Sequence, residues 1–302
     1  MSDHSIARRM WRLIEPVHAV TYFAEESAEE YRTAGLKGFW MGYFAGRSAA
    51  MGAVGPAVVT ATFYNFAPKM AARALPDAWG FASPARVLEA RLSGVDRLLD
   101  RILGAERASP EVVRAAELAR RAAEGATVVG RPLAAAHAAL AWPEEPALVL
   151  WQAATVLREH RGDGHVAALV DAGLDGCEAH ISMVATGEVP RSVLQPARGW
   201  TDEEWDGAER SLAERGWVDA ADPATFTPAG AAVRNRIEES TDRMAVQPWE
   251  RIGEVATEEL RGLLRPVARR IAQVGLIPMP NPIGLGGEAR ASGGSGGSGR
   301  AG

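Results

Sequence analysis

The sequence predicts a mainly α-helical protein with one small β-hairpin, and three observations lead to this class. Apolar residues recur three and four positions apart along most of the chain, which is the spacing of a buried helix face. Ser-Pro or Thr-Pro pairs precede several of these stretches, and glycines follow them, as at helix starts and ends. Strand-like composition is confined to two short runs, 217–218 and 225–226, which flank the turn signal Asp222-Pro223.

The N-terminal part is predicted to be a series of helices. The first covers 3–13, and Glu15-Pro16 predicts a restart because proline suits a first helical turn. Glycines at 35–38 indicate a break. Ser83-Pro84 and Ser109-Pro110 each place a capping hydroxyl before a proline, so each is expected to begin a helix.

The remaining helices are predicted in the same way. A helix from Ala147 is expected to stop at Gly162 in a C-cap position, and Asp163 is expected to cap the next helix. Thr201 predicts the start of another helix, and Thr227-Pro228 that of a long one.

Part of this second half resembles a MarR-type winged helix. The phrase LAERG at 212–216 precedes the predicted hairpin, and FTPAG at 226–230 follows it. The order helix, helix, helix, hairpin, helix over 147–245 is that of the same superfamily. The resemblance implies a winged-helix-like domain, a homodimer, and a ligand-responsive DNA-binding transcriptional regulator.

Nearly the whole chain resembles an actinobacterial family of helix-turn-helix-like proteins. Three phrases carry the resemblance: EPVHAVTYFA at 15–24, LREHRGDGHVAAL at 157–169 and PNPIGL at 280–285. It implies a shared fold and a shared site, without specifying a reaction.

The domain organisation follows from these patterns and from Pro143 to Pro146, which mark a boundary. We expect a helical, aromatic-rich domain at 1–143, a winged-helix-like domain at 144–249, a C-terminal helix at 250–277 and a flexible tail at 278–302.

Charge argues against DNA reading by the winged-helix-like unit. The helix in the reading position, 201–216, contains six acidic and two basic residues, a net charge of −4, whereas a DNA-contacting helix needs donors for phosphates and base edges. The hairpin at 219–226 has two acids and no base, where a MarR-type wing carries Arg or Lys. A regulator would have to use other basic residues, such as Arg265, Arg269 and Arg270.

Composition excludes several other classes. One cysteine, Cys177, cannot form an internal disulfide or a cysteine metal cage. The first residues lack the apolar core of a signal peptide. The uncharged run 48–68 is interrupted by Gly52 and Pro56 and is weakly hydrophobic, which favours a buried helical segment over a membrane span. We therefore expect a soluble, cytoplasmic protein that does not enter a membrane.

The densest polar cluster lies at 158–165, where six ionisable side chains fall within eight residues. A helix end and a helix start are predicted to meet here, so His160 and His165 would converge with carboxylates as a metal half-site. The alternative is a capped surface corner with ion pairs. The candidate ligand-pocket residues of this cluster are Arg158, Glu159, Arg161 and Asp163.

A second candidate region combines aromatic residues with one arginine. Such a set is typical of a small-molecule pocket, although aromatics at helical spacing are also typical of a core. Arg47 lies on the aromatic face and, if buried, needs a carboxylate or phosphate partner from a ligand, from Glu15 or from another protein group. The candidate pocket residues here are Tyr22, Trp40, Tyr43, Arg47, Tyr64 and Asn65.

These regions combine into one functional hypothesis. His18, His160 and His165 would meet across the domain boundary and bind a metal ion or haem in an aromatic pocket. The sequence thus favours a protein that binds a small molecule, a metal or haem between two domains, with enzymatic activity left open. The alternatives are the MarR-like regulator and a purely structural interaction module.

Overall fold

The computed structural model describes residues 5–285, and within them the fold consists of α-helices. The first nine are α1 (Ser5–Phe23), α2 (Glu25–Thr33), α3 (Gly38–Ser48), α4 (Pro56–Phe63), α5 (Pro68–Ala72), α6 (Ala78–Phe81), α7 (Pro84–Leu103), α8 (Pro110–Glu124) and α9 (Pro132–Ala138). The others are α10 (Pro146–Asp171), α11 (Gly176–Val184), α12 (Arg191–Arg198), α13 (Asp202–Glu214), α14 (Pro228–Ala245), α15 (Gln247–Ile252) and α16 (Glu254–Val274). Most of the predicted tail, 286–302, lies outside the described residues.

Helix starts with a hydroxyl cap are confirmed. The side chains of Ser83 and Ser109 accept hydrogen bonds from the backbone two positions beyond the following proline, and Thr227 does the same for Gly230. Thr201 and Glu204 form a reciprocal capping box at the start of α13. These helix starts depend only on nearby residues, because each capping side chain bonds to first-turn backbone N–H groups that the helix itself leaves unpaired.

Helix α10 is the central element of the fold. It packs against α8, α9, α14 and α1, and its first half contributes Trp151 and Val156 to an apolar cluster that also contains Met10, Leu98 and Leu260. This cluster therefore contains residues from both sides of the predicted 143/144 boundary, and the division into two domains stays a prediction. A second cluster is formed mainly by α3 to α6, and a third by the end of α10 together with α11 to α14.

The predicted β-hairpin and winged helix are wrong. Within residues 5–285 no strand forms, and a lone antiparallel bridge joins Val218 and Phe226. The intervening loop is held by local turns, in which the Asp219 side chain accepts hydrogen bonds from the backbone of Ala221 and Asp222. Pro223 has no N–H to donate, so a ladder cannot continue through the loop.

The predicted corner at Gly162 is also wrong, because α10 continues through it to Asp171. Asp163 does not begin a helix; its carboxylate accepts a hydrogen bond from the backbone N–H of Ala134, in the first turn of α9, at 2.9 Å. Gly164 is needed for packing: a Cβ there would lie 2.6 Å from Nη1 of Arg131, whose guanidinium donates to the carbonyls of His160 and Met244.

The predicted restart at Pro16 does not occur either, since α1 runs through this proline to Phe23. No helix in residues 5–285 combines the length and the apolar character that crossing a bilayer requires.

A buried cluster of arginine, tyrosine and histidine

A chain of ion pairs connects α1, α3 and α10 in the interior. The guanidinium of Arg47 donates two hydrogen bonds to the carboxylate of Glu159, from Nε and Nη2, both at 3.0 Å. Arg158 donates to the same carboxylate at 2.9 Å and to Glu15 at 3.2 Å. Glu15 also accepts from the indole N–H of Trp11 at 3.0 Å. Glu159 is fully buried and Arg47 is 8% exposed, so this is a desolvated network with two-pronged geometry.

The charges in the network stabilise one another against burial. Burial alone raises the pKa of Glu159, but Arg158 and Arg47 lower it well below the usual 4.5. Burial lowers the pKa of Arg47, but Glu159, Tyr43 and Tyr22 together outweigh burial, so the pKa ends above its usual value. Both groups are therefore charged at neutral pH. Removal of Glu159 would leave Arg47 without a carboxylate partner, whereas Glu159 would still pair with Arg158 if Arg47 were removed.

His18 and Tyr22 form a neutral pair beside this network. The hydroxyl of Thr155 donates to the carbonyl of Trp151, so it accepts from Nδ1 of His18 at 3.0 Å. This arrangement leaves Nε2 of His18 as an acceptor for the Tyr22 hydroxyl at 2.8 Å. Burial, with Arg158 next, holds the pKa of His18 well below 6.5, and burial raises the pKa of Tyr22. Both side chains are neutral at physiological pH.

Arg198, at the end of α12, adds a third guanidinium that lacks a carboxylate partner. It is 9% exposed, its Nη2 donates to the carbonyl of Pro282, and its Nε has no hydrogen-bond partner among the described residues. Its guanidinium lies 4.5 Å from the ring centre of Phe66. Burial, together with nearby Arg47 and Arg158, lowers its pKa to about 10, although Tyr43 acts to raise it.

We call this group the central cluster. It comprises Glu15, His18, Tyr22, Tyr43, Arg47, Thr155, Arg158, Glu159 and Arg198. Three arginines face two carboxylates, so the charges of these five side chains leave one excess positive charge in the cluster. Tyr22 and Tyr43 are partly exposed, which brings the cluster to the surface at one edge.

The polar residues of 158–165 separate in three directions around continuous α10. Arg158 and Glu159 enter the central cluster, whereas His160 and Asp163 face residues 131–134 through the backbone contacts given above. Arg161 faces α14 and pairs with Asp242 at 2.9 Å. Hence this segment is neither one corner nor one half-site.

Arg161 and His165 belong to a second ionic group on α14. His165 contacts the hydroxyl of Thr241 at 2.9 Å through Nδ1, and Arg8 bridges Asp242 and Glu238 at 2.9 and 2.8 Å. Burial lowers the pKa of His165 to about 4, so this histidine is neutral. The group joins α1, α10 and α14.

The residues predicted to line one aromatic pocket lie in two different places. Tyr43 contacts Tyr22 and Phe66, and Trp40 contacts Tyr43 and Phe66, so these rings line the central cluster. Tyr64 and Asn65 face α11 instead. The Tyr64 hydroxyl donates to the carbonyl of Leu174, and the Asn65 carbonyl accepts from His180 and Trp200 at 2.9 and 3.1 Å.

The three histidines are not brought together. Over residues 5–285, no group of three or more His, Cys, Asp or Glu side chains has the arrangement of a metal site. His18 uses both ring nitrogens on Thr155 and Tyr22, and His165 contacts Thr241 on another face of α10.

Sequence reasoning missed Arg198, Thr155 and Phe66. Arg198 stands one helical turn after the buried Leu194, so its position on the apolar face of α12 was detectable from the i, i+4 spacing. Thr155 and Phe66 carry no comparable signal, because their roles depend on partners distant in the chain.

The surface of α13 is acidic in the folded protein. Asp202, Glu203 and Glu204 are exposed at its start, and Arg215 at its end stacks 3.7 Å from the ring centre of Trp217 and pairs with Glu178. This helix therefore presents no cluster of donors for a phosphate backbone.

Comparison with known proteins identifies the family. No curated protein and no solved structure matches the chain. The model of a helix-turn-helix family matches residues 7–278. Since this match spans most of the sequence, the chain belongs to this helix-turn-helix family.

Proposed function

We propose that this protein binds a small organic anion, a carboxylate or a phosphate ester, at the Arg198 side of the central cluster. The observation that carries the proposal is the state of Arg198: a buried guanidinium, beside two other arginines, that pairs with no carboxylate of residues 5–285. An uncompensated buried charge destabilises the fold, and a bound anion removes that cost.

The surroundings of Arg198 suit an organic anion with a hydrophobic body. Phe66 lies under the guanidinium, and Tyr43 and Trp40 pack against Phe66 with ring centres 5.5 and 6.0 Å away. Tyr43 and Trp40 are partly exposed. Aromatic walls with a few converging polar groups are the usual composition of a small-molecule site.

The segment 280–285 covers Arg198 on the side of Pro282. Asn281 is buried, and its side chain accepts from the backbone of Ile283 and Leu285, which fixes the turn that aims the Pro282 carbonyl at Arg198. A carbonyl offsets only part of a positive charge, and the buried Nε still lacks an acceptor, which an anion would supply.

This site would lie between helices of the two predicted domains. Helices α1 and α3 come from 1–143, and α10 and α12 come from 144–249. The proposal therefore keeps the interdomain location of the predicted pocket and assigns it an anionic ligand.

Calorimetric titration with matched ligands tests the proposal. At constant ionic strength, benzoate or phenyl phosphate should bind, and benzamide, the neutral counterpart of benzoate, should bind at least tenfold more weakly. Arg198→Met should abolish binding, whereas Arg269→Met, on the exposed face of α16, should retain it. Equal binding of benzoate by wild type and Arg198→Met, or no binding of either anion by wild type, would refute the proposal.

A second candidate function is a DNA-binding regulator, which membership of a helix-turn-helix family favours. Because α13 is acidic, DNA would have to contact another surface, and Arg265 and Arg269 are exposed on α16. A gel shift with the upstream region of its own gene at about 50 mM salt tests this. The proposal is supported if the wild type and the Arg236→Gln control retard the DNA and the double variant Arg265→Gln, Arg269→Gln does not. Absence of retardation by the wild type would eliminate it.

A further inference from the structure

A second buried arginine, Arg91, lies near His18 of the central cluster and also lacks an anionic partner. It lies on α7 and is 2% exposed, on the helix face that carries the buried Val87 and Val95. Its guanidinium lies 4.8 Å from the ring centre of Trp151, and its Nη1 faces Nδ1 of His137 at 3.5 Å. No carboxylate of residues 5–285 forms an ion pair with it.

The unused donors of Arg91 lie on one edge of the guanidinium. Both Nε and Nη2 are buried and have no hydrogen-bond partner among the described residues. Arg47 uses the same edge to donate hydrogen bonds to Glu159, from Nε and Nη2 at 3.0 Å each. The edge has parallel donors spaced for an anion, and at Arg91 neither donor has a partner among the described residues.

The neighbouring groups do not supply the missing charge. His137 is 1% exposed, and burial, with Arg91 next, lowers its pKa to about 3, so it is neutral. The buried carboxylate of Glu159 is already engaged by Arg47 and Arg158. Buried donors are nearly always satisfied in native proteins, so the edge requires a partner that the chain itself does not provide.

We propose that the open edge of Arg91 binds a small inorganic anion of the size of chloride or nitrate inside the helical core. Burial of Arg91 and His137 favours a compact anion over an organic acid, because no part of a larger ligand would reach solvent. The ion would neutralise Arg91 where α7, α9 and α10 meet, and so it would stabilise the fold rather than take part in a reaction. This site is distinct from Arg198, whose neighbours are Arg47, Arg158 and Tyr43.

Thermal unfolding of the full chain in chloride or nitrate, compared with gluconate at the same ionic strength and pH, tests the proposal. Gluconate is too large for an enclosed site. Chloride should raise the unfolding midpoint saturably, by about 2–4 °C at concentrations well above its dissociation constant. The rise should persist in Arg198→Met and disappear in Arg91→Met. A rise that Arg198→Met removes instead would place the ion at the other site and overturn the proposal.

A measurement on the wild-type protein covers the case in which Arg91→Met does not fold. A crystal grown in bromide should show an anomalous peak within about 3.5 Å of Nε and Nη2 of Arg91. Ordered water without anomalous signal at this edge would overturn the proposal, as would a midpoint that is the same in chloride, nitrate and gluconate.

Discussion

Arg47 and Glu159 hold each other through two parallel hydrogen bonds of 3.0 Å, although they are 112 residues apart in the chain. The pair joins α3 to α10 in the interior and leaves Glu159 with no exposure to solvent. A buried pair of this kind contributes little net stability when intact, but loss of Glu159 would leave the Arg47 charge without a carboxylate partner.

Substitution of Glu159 should therefore be strongly destabilising. Glu159→Gln keeps the shape but leaves Arg47 and Arg158 without their shared carboxylate, and we expect it to lower the free energy of unfolding by about 3–5 kcal/mol. Denaturant titration measures this loss. The matched control is Glu259→Gln, which removes an exposed partner of Arg114 and should leave the midpoint unchanged. A Glu159→Gln protein as stable as the control would contradict the interior network.

Unlike substitution of Glu159, Arg198→Met should not strongly lower the free energy of unfolding. Since Arg198 is buried without a carboxylate, its removal relieves repulsion from Arg47 and Arg158 and costs one hydrogen bond to Pro282. In buffer free of organic anions we expect a free energy of unfolding within about 1 kcal/mol of wild type, or higher. Denaturant titration beside Glu159→Gln, which should lose about 3–5 kcal/mol, measures the contrast. A similar loss in both variants would show that Arg198 has a protein counter-charge.

Two glycines of α10 should respond differently to alanine. Gly162→Ala should be neutral or stabilising by up to about 1 kcal/mol, because the new Cβ meets nothing closer than 3.5 Å and alanine favours a helix. Gly164→Ala should destabilise by about 1–3 kcal/mol, because its Cβ would lie 2.6 Å from Nη1 of Arg131 and would displace that guanidinium from the carbonyls of His160 and Met244. Thermal or denaturant unfolding of the two variants measures the difference. A destabilising Gly162→Ala would indicate that α10 ends at Gly162 after all.

Stability should fall as the pH drops below about 6.5. Burial is the main cause that lowers the pKa of His18, and it lowers the pKa of His137 and His180 to about 3 and of His160 and His165 to about 4. The unfolded chain takes up protons at these histidines below pH 6.5, whereas the folded protein does not until near pH 4. The stability that these neutral buried histidines contribute is therefore fully present above pH 6.5. It is lost on acidification, at about 1.4 kcal/mol per pH unit for each titrating histidine.

The carboxyl group of Asp163 has the opposite effect on stability as the pH falls. Burial raises the pKa of Asp163 to about 6, so its protonation in the folded protein offsets about one of the five histidines between pH 6 and 4. Denaturant titrations from pH 7.5 to 5 should show the fall, and His180→Gln should make it less steep. A free energy of unfolding that stays constant over this range would contradict neutral buried histidines.

Local signals in the sequence predicted local structure well. Ser83, Ser109, Thr201 and Thr227 cap helices as expected, because a cap depends only on residues within one turn. The pairing of His18 with Tyr22 also follows from their i, i+4 spacing.

Predictions that depended on distant partners were less successful. Gly162-Asp163 has the composition of a helix end followed by a helix start, but the packing of Arg131 against Gly164 and of Asp163 on Ala134 keeps α10 continuous. That Arg47 needs a carboxylate was evident from its aromatic face, whereas the choice of Glu159 over Glu15 depends on how α1, α3 and α10 pack. Arg198 was missed because nothing near it in sequence reveals its lack of a counter-charge.

Anomalous scattering from 4-bromobenzoate tests most directly the proposal that Arg198 binds an organic anion. In crystals soaked at saturating ligand we expect one bromine peak among Trp40, Tyr43 and Phe66, with the carboxylate within about 3.2 Å of Nε of Arg198. No such peak should appear in Arg198→Met crystals. A wild-type crystal without a bromine peak beside Arg198, or an equal peak in the variant, would contradict the claim.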